Sequence, residues 1–441
     1  MRPCIICGGG AVEPLLDFGP QALCNRFLAR ADEPEALFGL ALGQCDGCGL
    51  IQIVSPAPPK EVKPRFAWIT YGEQEGHLDD LVERVCAQPG VNKDSVVGAI
   101  SFKDDSTVAR FQKKGFGRTW RLEPKADLGI QDAAAGLETV QEALSAAQAE
   151  QIAARRGPAD VLIVRHILEH AHQTQRFAGA LKRLVKPNGL FVFEVPDCRP
   201  ALERHDYSMP WEEHIVYFTP ETFRRSLAAL GFSEAHYQSY IYANENSLTA
   251  IVKNREAGGQ GSGANQMLVG SPRRGDLGRL GEPSLPSMES AFSRPDLSPR
   301  TASASDDLQA QKSLGRSYAR AFPGYRTEVG RCLEECRRRC GKIAVFGAGH
   351  LSCFWINALG VAQWIEFVLD DHPAKRGLLM PGSRLPIRGS ASLLEENVKL
   401  CLLSLSPESE AKVVAKNQLF LERGGSFASI FPGKPNSLAA H

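Results

Sequence analysis

The run Ser95-Val96-Val97-Gly98-Ala99-Ile100-Ser101-Phe102-Lys103-Asp104-Asp105-Ser106 decides how this chain folds. Its first six residues make a short apolar run, the length of a buried strand. Asp105-Ser106 then caps a helix over residues 107–114, which Gly115 ends. A buried strand that feeds directly into a helix begins an α/β sheet, and the pattern repeats downstream. Residues 119–123 predict a second strand, stopped by Pro124, and residues 160–164 a third. A helix over 174–185 ends before Pro187-Asn188-Gly189, and Leu190-Phe191-Val192-Phe193-Glu194-Val195 follows as a strand stopped by Pro196. Upstream, Leu78, Leu81, Val82 and Val85 fall at helical spacing within residues 75–85. Apolar runs separated by amphipathic helices predict a parallel-rich sheet covered on both faces.

A second and smaller unit of the same kind lies near the C-terminus. Lys342-Ile343-Ala344-Val345-Phe346 reads as a strand that ends in Gly347-Ala348-Gly349, with further strands over 364–369 and 398–403. This is a Rossmann-like pattern. A helical pattern precedes it over 308–340, with an interruption expected at Pro323-Gly324. Between the two units the composition turns to Gly, Ser, Pro and Arg, so residues 254–307 read as a disordered linker or insertion.

The chain opens on two Cys-x-x-Cys pairs, Cys4-Ile5-Ile6-Cys7 and Cys45-Asp46-Gly47-Cys48. Each pair can clamp one edge of a tetrahedral zinc ion, and four thiolates leave no open position for water, so a structural zinc is expected. A redox pair needs one such motif beside a βαβ unit, and a disulfide scaffold suits short secreted chains, so both fit less well. Pro56-Ala57-Pro58-Pro59 closes this module as a stiff connector. The expected organisation is therefore an α/β chain of a zinc-binding module (1–58), a Rossmann-like core (59–253), the linker (254–307) and a helix with the second Rossmann-like domain (308–441).

At 441 residues and 43% hydrophobic content, the chain can support two to four cores. A formal charge of +1 gives no basic field for nucleic acid or for an anionic membrane. Twelve cysteines without an apolar leader predict a reducing, cytoplasmic setting. No segment approaches the length of a transmembrane helix.

Four local motifs carry a resemblance. They are the cysteine module with Leu15-Leu16-Asp17-Phe18-Gly19 and Gly49-Leu50-Ile51-Gln52; Ile167-Leu168-Glu169-His170 with Phe193-Glu194-Val195-Pro196; Glu213-His214-Ile215-Val216-Tyr217-Phe218; and residues 370–377 with Pro381-Gly382. Together they resemble the sugar-nucleotide C-methyltransferases. The resemblance implies S-adenosylmethionine as methyl donor and a nucleotide-linked keto sugar as acceptor. Carbon methylation needs an enolate, made when a base removes the proton beside a ketone. By that resemblance His214 is the base, and Glu213 holds it or binds the sugar ring. Tyr71 stands near a family tyrosine. Gly347, Asn357, Asp370 and Lys375 match the sugar-nucleotide cleft. Thr219-Pro220-Glu221-Thr222, just after the third motif, is also a good helix start, so capping and packing is the alternative reading of that segment.

The chain departs from the family pattern in four places, the first being the tyrosine- and serine-rich segment near the start of the core, which here reads Phe66-Ala67-Trp68-Ile69-Thr70-Tyr71-Gly72-Glu73. Trp211-Glu212 replaces the usual Tyr-His before Glu213-His214. Gly98 stands where the first strand usually ends in an acid, and the glycines of the donor turn are replaced within Ser101–Asp105. Glycine there lets a ligand approach the backbone, so bulk and carboxylates at this turn oppose binding. Ser101 remains the donor candidate in this turn, and Glu123 stands where a carboxylate takes the ribose hydroxyls. Arg165-His166 replaces the third donor position, and His166 is its candidate. These departures leave one alternative, a catalytically inert relative that binds a sugar nucleotide or a protein partner; the Gly-x-Gly turn after a strand leaves another, an NAD-linked oxidoreductase using Gly347 and Gly349.

Overall fold

The computed structural model describes residues 3–66, 72–132, 136–243, 245–254 and 304–438. Tyr71 and nearly all of the expected linker lie outside the described residues.

Among the described residues, three sheets organise the fold. The first is antiparallel and contains β1 (Val12–Ala22), β2 (Leu37–Cys45) and β3 (Ile51–Ile53). The second holds β4 (Val97–Ala99), β5 (Thr119–Arg121), β6 (Ala159–Arg165) and β7 (Val185–Asp197) in parallel. A two-residue strand, β8 (Val216–Tyr217), leaves this core and pairs with β3, so it belongs to the first sheet. β9 (Phe232–Tyr240) and β10 (Asn246–Asn254) return antiparallel and complete the order β5-β4-β6-β7-β10-β9. The third sheet is parallel throughout, with β11 (Lys342–Phe346), β12 (Phe367–Leu369), β13 (Ile387–Arg388), β14 (Val398–Leu403) and β15 (Ser426–Ser429) in the order β13-β12-β11-β14-β15.

The middle sheet is covered on both faces, as the apolar runs require. Val161 and Ile163 pack with Leu78, Leu81, Val82 and Val85 of the helix Leu78–Cys86. Leu162 and Val164, their alternating neighbours, face the larger cluster containing Phe177, Leu181 and Phe223. Alternation along each strand produces this division.

Two expectations need correction. No break occurs at Pro323-Gly324: the helix runs unbroken from Ala304 to Cys340, with Pro323 inside it. Proline removes one amide donor, but Tyr318 and Phe322 before it and Val329 and Leu333 after it all sit in one core cluster. That packing holds both halves on one axis. The strand expected over 364–369 begins only at Phe367, because Ala362–Trp364 forms a 3-10 turn.

Candidate active site

The four cysteine sulfurs converge. Cys4 Sγ lies 3.8 Å from Cys48 Sγ, and Cys7 Sγ lies 3.7 Å from Cys45 Sγ. A tetrahedral zinc with bonds of about 2.3 Å holds its sulfurs about 3.8 Å apart, so the donor set fits that ion. The turns around it are tight: a Cβ on Gly10 would come within 2.4 Å of Cys45 Sγ. Gly8 and Gly49 take φ of +67° and +78°, which glycine adopts without strain.

This module also holds the Glu213-His214 segment. Ile53 donates its amide to Ile215 at 2.9 Å, and Ile215 donates to Glu169 at 2.7 Å, so Glu213-His214 is strung between the module and the core. Cys24 donates its amide to Glu212 at 2.5 Å, and the Asn25 amide donates to Glu213 at 2.8 Å. His214 is the partly exposed member of the group. Its ring lies 4.8 Å from His170 and 4.7 Å from Trp211, while Trp211 stacks on His350 at 4.3 Å. Burial, together with His170, His350 and His166, pushes the His214 imidazole well below its ordinary pKa, so it is neutral at pH 7. Burial, then Glu138 and Glu212, pushes Glu213 well up.

The C-terminal domain reaches the same group through His350, which starts the helix His350–Leu359 and stacks on Trp211. Asp370 accepts from the Ala348 amide at 3.2 Å, and Lys375 donates to the Ala348 carbonyl at 2.7 Å and to Asp370 at 2.8 Å. The Gly347-Ala348-Gly349 turn is thus held by Asp370 and Lys375. A Cβ on Gly347 would stand 2.7 Å from the Ser404 carbonyl oxygen, so this glycine is required by packing. Asn357 donates to the Pro381 carbonyl at 3.0 Å and packs beneath Gly382, which ties it to the next turn.

At the end of β6 the chain buries an ion cluster. Arg165 and Glu194 pair directly with essentially no exposure, and His166, His77 and Ser247 lie 3.1, 3.0 and 2.7 Å from Glu194. Burial opposes charge on both His166 and Glu194. The neighbouring opposite charges override it, so His166 sits well above and Glu194 well below the ordinary values. A glutamate inside the apolar run at 190–195 was a visible sign of such a cluster, because a buried charge needs partners. His77, Ser247 and Glu138 gave no local sign, since only the fold brings them in.

The comparisons with known proteins agree with this layout. The "Putative zinc binding domain" model matches residues 4–62, the "Methyltransferase domain" model residues 100–236, and the "C-methyltransferase C-terminal domain" model residues 304–432. Each model matches less than half of the chain, and they follow one another along it in the order zinc module, core and C-terminal domain. C-methyltransferase NovU of Streptomyces niveus is 22% identical over 445 residues, covering 99% of this chain and 97% of that protein. Among solved structures, a Burkholderia thailandensis 1,6-didemethyltoxoflavin-N1-methyltransferase with S-adenosylhomocysteine matches at 13% identity and TM-score 0.28, over 41% of this chain and 78% of that one. A Haloferax volcanii methyltransferase in complex with its Trm112 activator matches at 10% identity and TM-score 0.29, over 41% and 91%.

The methyl donor that the sequence resemblance implies fits poorly at its methionine end. In place of a glycine turn, Phe102–Asp104 forms a 3-10 helix, with Ser101 capping it by accepting from Lys103. The buried Asp104 carboxylate takes the amides of Ile100 and Ser101 at 2.9 Å each and of Arg165 at 3.0 Å. Arg165 also donates to the Lys103 carbonyl at 2.5 Å, so the chain's own charges fill this end. At the ribose end Glu123 follows β5, half exposed and 2.7 Å from Arg121.

Proposed function

We propose that the protein acts on a nucleotide-linked keto sugar, with His214 as the base that removes the proton beside the ketone and leaves an enolate. The observation that carries this reading is the placement of His214. It is partly exposed, between Trp211 and His170, where the zinc module, the core and the C-terminal domain meet. Similarity to a C-methyltransferase along the whole chain supports it. Zinc at Cys4, Cys7, Cys45 and Cys48 holds the module that presents Glu213-His214. Ser101, Glu123 and His166 are the donor-side candidates, and Gly347, Asn357, Asp370 and Lys375 those on the sugar-nucleotide side. Tyr71 is proposed as a further catalytic group from the family resemblance alone.

A second reading is favoured by the filled turn at Asp104 and Arg165: a relative that binds the sugar nucleotide without methylating it. Calorimetric titration with S-adenosylmethionine separates the two. Heat of binding that Arg165→Asn strengthens supports methylation. No heat at millimolar donor leaves the second reading. Proton removal is tested apart from the donor, by deuterium uptake from heavy water into a nucleoside-diphosphate keto sugar. His214→Gln abolishes the uptake if His214 is the base, and unchanged uptake in that variant removes it from the role.

A further inference from the structure

Glu213, the neighbour of His214, also belongs to a cluster with two side chains, Glu138 and His170, that the proposed chemistry does not use. We propose that Glu138, His170 and Glu213 form a second metal site, for a divalent transition-metal ion, distinct from the four cysteines. One donor atom from each of the three lies within 4.8 Å of the other two, and all three residues are buried. A cation with bonds of about 2.0–2.2 Å spaces its donors at most about 4.4 Å apart, so the trio needs to draw in by only a few tenths of an ångström.

Proximity alone does not make a site, and a second observation points to a ligand. Glu138 Oε1 and His170 Nδ1 face each other as an ion pair across 2.8 Å, oriented so that they make no hydrogen bond, and neither atom has a hydrogen-bond partner among the described residues. Glu138 and His170 are 2% and 3% exposed, so water does not satisfy these atoms. Buried polar atoms without partners are rare, because leaving one unmade costs about 1–3 kcal/mol. A cation bound to both would satisfy both.

The surroundings are those of a metal site. Asn25 donates to Glu213 Oε1 at 2.8 Å and to the Val62 carbonyl at 2.6 Å, which fixes the carboxylate from behind. The three residues come from separate elements: the helix Leu137–Ala143, the turn Leu168–His170 and the loop before β8. One imidazole with two carboxylates suits Mn2+, Fe2+, Co2+ or Zn2+ over Ca2+ or Mg2+, which prefer oxygen alone. His214, the partly exposed neighbour, stays available to a substrate. Of the three, His170 and Glu213 stand in sequence motifs and Glu138 does not. Histidines at 166, 170 and 172 cluster after β6, but the acidic partners sit 32 residues before His170 and 43 after it.

The test uses the full chain with its cysteine site already loaded with zinc. Cobalt(II) is added, excess is removed by gel filtration, and both metals are counted by mass spectrometry. We expect one zinc and one cobalt per chain, with the cobalt spectrum showing ligand-field bands and no thiolate charge-transfer band. Glu138→Gln and Glu213→Gln are each expected to keep the zinc and to weaken cobalt binding at least about tenfold, the loss of one good ligand contact. The site is overturned if the wild-type chain retains no cobalt, if the spectrum shows thiolate ligation, or if both variants hold cobalt as tightly as the wild type. Should one variant fail to fold by circular dichroism, the other variant and the wild-type stoichiometry decide the matter.

Discussion

Glu194 sits at the centre of the buried charge cluster, facing Arg165, His166 and His77. Removing its charge leaves Arg165 buried without its counter-ion. Glu194→Gln is therefore expected to destabilise the fold by about 3–5 kcal/mol, read as a shift of the urea midpoint. Glu73 reports on the rim of the same cluster. Burial alone would raise its pKa, but His166 and Lys103 bring it down to about 2. The sign follows. Its unfolded-state carboxyl titrates near 4.5, so its contribution is complete above that pH and is lost as pH falls towards 2. Glu73→Gln should lag the wild type by about 1–3 kcal/mol above pH 5, and the gap should close on acidification. A gap that persists at pH 2 would mean that Glu73 acts through packing and not through charge. At this scale the four cysteines were legible because their spacing is local, and their sulfurs do converge, whereas Glu213 and His214 were marked by a resemblance of motif. The sequence showed Glu194 only as an anomaly, and Glu138 and Asn25 not at all, because their roles come from neighbours more than 30 residues away.

Elements were legible where periodicity was strong and wrong where tertiary packing overrides a local rule. The helix Ala304–Cys340 is the clearest case. A proline inside a helix is expected to break it, yet Tyr318, Phe322, Val329 and Leu333 are buried on both sides of Pro323. The helix carries the proline as a local cost, because its apolar stripe is anchored over more than four turns. Pro323→Ala should therefore stabilise the chain, by up to about 3 kcal/mol, and raise the thermal midpoint without changing helix content. A loss of stability would show that the proline is needed to set the helix axis. β8 was invisible for the opposite reason. Its two residues show no period, and they form a strand only because β3 offers an edge: Ile51 pairs with Tyr217 and Gln52 with Val216.

That short pairing links the modules into one device. The four thiolates fix the ends of β2 and β3, β3 holds β8, and the residues just before β8 are Glu213 and His214. Cys24 and Asn25, on the segment after β1, hold Glu212 and Glu213 from the other side. The same module packs through Phe18 against Phe322 and Phe354, so it also touches the C-terminal domain. Zinc occupancy should therefore control order at a site far from the metal in sequence. A structural zinc contributes about 10 kcal/mol or more to a small module, which is enough to decide whether β3 presents its edge at all. In Cys45→Ser, hydrogen exchange followed by mass spectrometry should show lost protection in residues 11–53 and, with it, in residues 213–217. The strands β4, β6 and β7 form their own buried sheet and should keep theirs. Exchange confined to the first module, with 213–217 still protected, would show that the core holds Glu213 and His214 in place without help from the zinc module.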